Sequence, residues 1–327
     1  MIHAGSMEIS TQPPAAAPSV WRRRLTLAML APWIAFFLPL YVYLFGLRFQ
    51  GRGDATPAEL LPIVLHHGHG FDFREFVPPG EPLPYWFRLV GGRVVSSYPV
   101  LPGLLNVPVY AVTGLVGVDV EAQRQLLSGL TSSMLSALSV LFLYLALERV
   151  CRSRKMALGF SLVYAFGTTV WSVASRGMFP HAPSVLFLST ALWAFLRGGR
   201  AVPWAGLALG LAVVTRPTNL AIALPLALYA ARYERRSFFR FAALAAIPGL
   251  FYAWYAAVYL GSPFASPQAV SADNFRGSAL TGLAGLLFSP SRGLFVFSPF
   301  FLFAIPAIVG SARPAAAANR DRLPRYL

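Results

Sequence analysis

The chain has 327 residues, of which 56% are hydrophobic and only 12% charged. Soluble domains carry about 25% charged residues, so this composition excludes an ordinary soluble enzyme and a disordered chain, and a lone cysteine, Cys151, excludes an internal disulfide framework. The net charge of +15 does not point to nucleic acid, because the basic residues punctuate long apolar runs and form no polar face.

In chain order, residues 1–21 are polar, with Pro13, Pro14 and an alanine run, and read as a disordered tail. Arg22, Arg23 and Arg24 come immediately before the first apolar stretch. Crossing the hydrocarbon core takes about 20 apolar residues as helix. Such stretches predict about eight spans, near 26–47, 127–148, 156–174, 180–196, 203–215, 218–232, 241–260 and 293–311. The expected class is therefore an all-α polytopic membrane protein. The first stretch is too long for a signal-peptide core and has no convincing cleavage site, so it is expected to stay as an anchor. Residues 22–312 form the membrane domain, and 313–327 a basic tail.

Counting positive charge orients the chain. With the N-terminus cytoplasmic, the cytoplasmic segments hold 17 of the 27 basic residues. Most of the others fall in one long exterior loop, 48–126, where the charge rule is relaxed. Within that loop, 98–117 is apolar, yet treating it as a span would invert every later loop. It is expected to be an interfacial or re-entrant helix. Residues 203–232 must cross twice with only about 15 residues per crossing, roughly 22 Å at helical rise. The hinge Thr215-Arg216-Pro217-Thr218-Asn219 should therefore lie at membrane depth, where irregular backbone and an arginine are tolerated beside protein or a wet cavity.

Only 12 residues are acidic, so each one near the membrane is informative. Asp54 follows the first span and could act as a general base on a hydroxyl, or could cap the helix begun by Pro57-Ala58-Glu59. Asp72 and Glu75 read as a surface turn. His66, His67 and His69 lack the two-on-one-face spacing of a zinc site, and Gly68 and Gly70 weaken any helix there, so a metal, though possible, is not indicated, and no cofactor is expected. His181 opens a span after a short exterior loop. Arg216 suits bidentate contact with a phosphate, or pairing with helix carbonyls or Asp54. Arg292, in Ser289-Pro290-Ser291-Arg292-Gly293, could bind phosphate at a helix entrance or anchor the span.

The order of these segments carries a resemblance. A basic tail and first span lead to Gly53-Asp54 with Thr56-Pro57-Ala58, and then to Ser97-Tyr98-Pro99-Val100-Leu101-Pro102-Gly103. The surroundings of His181, Thr215-Arg216-Pro217 and Ser289-Pro290-Ser291-Arg292-Gly293-Leu294 with Ser298-Pro299 follow. Over about residues 25–311 the chain resembles the bacterial GT-C superfamily of polytopic glycosyltransferases, in particular the dolichyl-phosphate-mannose-protein mannosyltransferase-like proteins. The resemblance implies sugar transfer on the exterior face of the inner membrane, from a polyprenyl-phosphate donor to a lipid or envelope acceptor. It implies Asp54 as catalytic carboxylate. Ala55 stands where the family's second acid is expected, and Glu59, one turn on, is the nearby acid that could substitute. It further implies Arg216 and Arg292 on the donor phosphate, with Tyr98, Pro99 and His181 in the substrate pocket. The chain is short for the superfamily, so a compact member, a truncated product and an inactive remnant stay open. Two other functions also remain: a transporter or flippase of a polyprenyl-linked or anionic substrate, and a non-catalytic assembly subunit.

Overall fold

A computed structural model describes residues 19–45, 53–267, 277–291 and 293–306. Arg292, residues 1–18 and the tail 313–327 lie outside the described residues. The chain is mostly helical. Helix α1 (Ser19–Phe45) leads into a folded connection made of α2 (Thr56–His66), strands β1 (Phe87–Val90) and β2 (Arg93–Ser96), and α3 (Leu101–Leu115). The bundle continues with α4 (Arg124–Val150), α5 (Arg154–Gly167), a short α6 (Thr169–Ser172), α7 (His181–Arg197), α8 (Val202–Thr215), α9 (Leu220–Tyr233) and α10 (Arg235–Tyr259). Helices α11 (Ala279–Phe288) and α12 (Leu294–Phe297) follow.

Among the described residues, two helices are long and apolar enough to cross a membrane alone, α4 and α10. A third arises if Arg154–Gly167 and Thr169–Arg176, bent by 42° to each other, are taken together. Thr168 makes the bend: its backbone is extended, and its hydroxyl donates to the Tyr164 carbonyl while accepting from Val170 N–H. The expected helix within 98–117 is present as α3. Three features depart from expectation. The connection contains a β-hairpin, α11 lies where no span was expected, and the described part of 293–311 is broken. There α12 stops after four residues at Ser298, and Pro299 opens a 3-10 turn, because proline brings no N–H to continue the helix.

The bundle is packed polar side in. On α4, Ser128, Thr131, Ser132, Ser133, Ser136 and Ser139 are buried. Ser132 and Ser133 hydroxyls both donate to the Ser175 carbonyl, at 3.2 and 3.1 Å. Large apolar side chains face outward instead, with Leu250 70% and Phe239 83% exposed on α10. Small and hydroxyl residues between helices, with apolar residues outside, match lipid as the surrounding solvent. Close approach completes the packing. A Cβ added at Gly206 or Gly210 of α8 would run into the α10 backbone at Phe241 and Ala245.

The connection is a small core of its own, clamped to one end of the bundle. Gly103 lets α3 press against Leu61 and Ala58 of α2, and Asn106 Nδ2 donates to the Ala58 carbonyl at 2.8 Å. Phe71 packs edge-on against Tyr255 and Tyr259 of α10, and Arg93 Nη1 donates to the Val258 carbonyl at 2.9 Å. Asp72 is a structural fastener, since its Oδ1 accepts from Arg74 N–H and Val94 N–H.

Candidate functional site

Asp54 sits in a 3-10 turn, Gly53–Ala55, just ahead of α2. The turn needs glycine at 53, where φ is +73° and a Cβ would lie 2.5 Å from the Tyr85 hydroxyl. Asp54 does not cap the helix: the cap position is Ala55, and no side chain bonds to it. Its Oδ1 instead accepts from Tyr98 Oη at 2.6 Å and Tyr85 Oη at 3.0 Å. Among the described residues Oδ2 accepts from no side chain. The two tyrosines converge because of the hairpin. Gly91 and Gly92, both at positive φ, form the two-residue turn, and the register pairs Phe87 with Ser96. One bond further on, Ser97 N–H donates to the Trp86 carbonyl, which brings Tyr85 opposite Tyr98. Burial, then the bond to Asp54, push the Tyr98 phenol above its usual range, so it stays a donor at neutral pH. The Asp54 bond also raises Tyr85.

Arg216 comes to the same place from the bundle. Helix α8 ends at Thr215 because Pro217 disfavours helical backbone in the residue before it, and Arg216 is extended at φ −146° and ψ 111°. Asn219 holds the break in place, its Nδ2 donating to the Ala212 carbonyl and to Ser184 Oγ, both at 2.8 Å. Arg216 Nη1 lies 2.8 Å from His181 Nδ1 at the start of α7. A guanidinium can only donate, so this imidazole nitrogen accepts and the ring is neutral with its proton on Nε2. Among the described residues Arg216 thus pairs with neither Asp54 nor a helix carbonyl, and its remaining N–H groups meet no side-chain acceptor.

Between these groups lies a cavity of about 240 Å³. Asp54, Tyr98, Pro99, His181 and Arg216 all line it, together with the turns at Phe179–Pro180 and Thr215–Thr218. Five of the seven residues singled out from sequence therefore share one cavity. Arg292 lies outside the described residues. Glu59 is a correction: it does not line the cavity, because its position on α2 turns it inward toward Tyr110 and Arg124, only 1% exposed. Tyr85 was missed by the sequence reading, since only the hairpin register connects it to Asp54.

Glu59 yields a stability prediction. Neither carboxyl oxygen has a hydrogen-bond partner among the described residues, and burial lifts the group from 4.5 to about 8, against the pull of the Arg124 charge. The folded state therefore holds a proton that the unfolded state releases. Stability from this group is full below about pH 4.5 and is lost as pH rises toward about 8, on the order of a few kcal/mol. Thermal unfolding of the purified chain should show this decline, and Glu59→Gln should flatten it. An unchanged slope in the variant would assign the pH dependence elsewhere.

Among the described residues no group of His, Cys, Asp and Glu has the arrangement of a metal site. His67 and His69 direct Nδ1 to Glu75 Oε2, at 2.8 and 3.3 Å. No family model, curated protein or solved structure matches the chain, so the reading of this cavity rests on its own geometry.

Proposed function

We propose that the chain is a membrane glycosyltransferase of the GT-C type, moving a sugar from a polyprenyl-phosphate donor to an acceptor hydroxyl. The observation that carries this reading is a carboxylate and a guanidinium facing one small cavity from two separate parts of the fold. Asp54 Oδ2 takes the proton of the acceptor hydroxyl while Tyr85 and Tyr98 fix the carboxylate through Oδ1. The acceptor oxygen bonds to the anomeric carbon, the bond from that carbon to the phosphate oxygen breaks, and polyprenyl phosphate leaves. Arg216 bears the charge gathering on that phosphate, with His181 Nε2–H as a second donor. At about 240 Å³ the cavity suits a sugar and its phosphate, and the prenyl chain runs along the apolar helix faces. A donor analogue with a photoreactive group beside the phosphate should cross-link saturably to the 215–218 hinge, and labelling spread over the bundle without saturation would sink the proposal.

In this reading about eight segments traverse the inner membrane, with the N-terminus cytoplasmic and the Asp54 cavity on the exterior side. The basic segments support it, since Arg149–Lys155, Arg197–Arg200 and Arg232–Arg240 all join helix ends remote from the cavity. In a Cys151→Ser background, an impermeant thiol reagent applied to intact cells should label Glu81→Cys and spare Ser153→Cys. The reverse pattern would invert the topology.

A further inference from the structure

Helix α7 runs from His181 at the first cavity to Arg197 at a second, of about 520 Å³. Here the C-terminal ends of α4 and α7 meet the start of α5. The charge around this hollow is lopsided. Arg149, Arg152, Arg154 and Arg197 line it with one carboxylate, Glu148, and Glu148 is already paired with Arg154. Among the described residues no carboxylate pairs with the other three arginines.

Helix dipoles account for only half of this arrangement. Arg149 and Arg197 occupy the last turns of α4 and α7, where a cation is favourable. Arg152 and Arg154 flank Ser153, the N-cap of α5, whose hydroxyl accepts from Met156 N–H. The first turn of α5 holds no acid. A helix N-terminus favours negative charge, so the cations gathered there oppose the dipole, and Glu148 offsets only Arg154. The surroundings indicate which anion. Trp193 forms part of the wall, with the Arg197 guanidinium 5.2 Å from its ring centroid. Val150, Met156 and Leu192 are exposed beside the charged rim and offer an apolar surface to acyl chains.

We infer that this second cavity binds the phosphate headgroup of an anionic phospholipid. Guanidinium forks match phosphate oxygens, and basic hollows between membrane helices select such headgroups. The apolar rim favours a lipid over free phosphate, which would gain nothing from it. The site shares no lining residue with the Asp54 cavity and stands whether or not sugar transfer is the activity.

The test uses the full chain in phosphatidylcholine vesicles containing phosphatidylglycerol brominated high on its acyl chains. Brominated phosphatidylglycerol should quench tryptophan emission more than brominated phosphatidylcholine at equal content, and Trp193→Phe should remove the excess. Phosphatidylglycerol retained in native mass spectrometry should fall about tenfold or more in the combined variant Arg149→Gln, Arg152→Gln, Arg197→Gln. Equal quenching by the two lipids, or an excess that survives Trp193→Phe, overturns the assignment. Displacement of the lipid by inorganic phosphate also overturns it, in favour of a soluble-anion site. The quenching comparison between the unsubstituted chain and Trp193→Phe decides the matter even if the triple variant does not fold.

Discussion

Asp54→Asn should abolish the proposed sugar transfer and leave the fold intact. Asparagine keeps an Oδ1 that can accept from Tyr98 and Tyr85, so the hairpin stays anchored to the turn before α2. It replaces Oδ2 with an amide that cannot take a proton. Loss of general-base catalysis costs about 10²–10⁴-fold in rate, and thermal stability should change little. Asp54→Ala should lose the same activity and also stability, because it leaves two tyrosine hydroxyls without their acceptor. Turnover of a lipid-linked sugar in reconstituted membranes, read beside an unfolding curve, separates the two effects. An Asp54→Asn variant that still transfers sugar would remove Asp54 as the base and leave the acceptor proton to another group.

The tyrosines show where sequence reading stops. Tyr98 was legible because it precedes Pro99 in a segment too apolar for an ordinary loop and too awkward for a span. Tyr85 lies 31 residues from Asp54, and only the register of a hairpin with four-residue strands brings it there. That hairpin had a signal in Gly91-Gly92, but Phe87–Val90 and Arg93–Ser96 are too short for alternation to stand out. Glu59 failed for a different reason. Being one turn beyond Asp54 suggested shared chemistry, but the direction of a helical side chain is set by what its helix packs against, and α2 packs its Glu59 face inward. The hinge at Arg216 was the most legible element. Two expected crossings with too few residues, interrupted by proline, leave little alternative to a break there. That His181 would be the partner of Arg216 was not legible, because it depends on how α7 packs beside α8.

Arg216→Lys should weaken donor binding by about tenfold or more and keep the fold. One N–H of the guanidinium goes to His181 Nδ1, and in the proposed site the rest of the fork serves the phosphate. A lysine ammonium keeps the charge but concentrates its donors on one atom, so holding His181 and bracing two phosphate oxygens compete. A charge-assisted hydrogen bond is worth about 1.5–3 kcal/mol, which is about one to two powers of ten in affinity. Arg216→Ala should lose more, since no positive charge remains. Neither change should unfold the hinge, because Asn219 holds it independently through Ala212 and Ser184. Asn219→Ala makes the contrast: it should lower stability, and donor affinity should fall only as far as the hinge loosens. His181→Phe frees an Arg216 N–H but deletes the Nε2–H donor, so its effect on binding should be smaller than that of Arg216→Ala. Equilibrium binding of a polyprenyl-phosphate sugar analogue to the four variants ranks them directly. Wild-type affinity in Arg216→Ala would make the arginine a structural partner of His181 and leave the donor phosphate to another group.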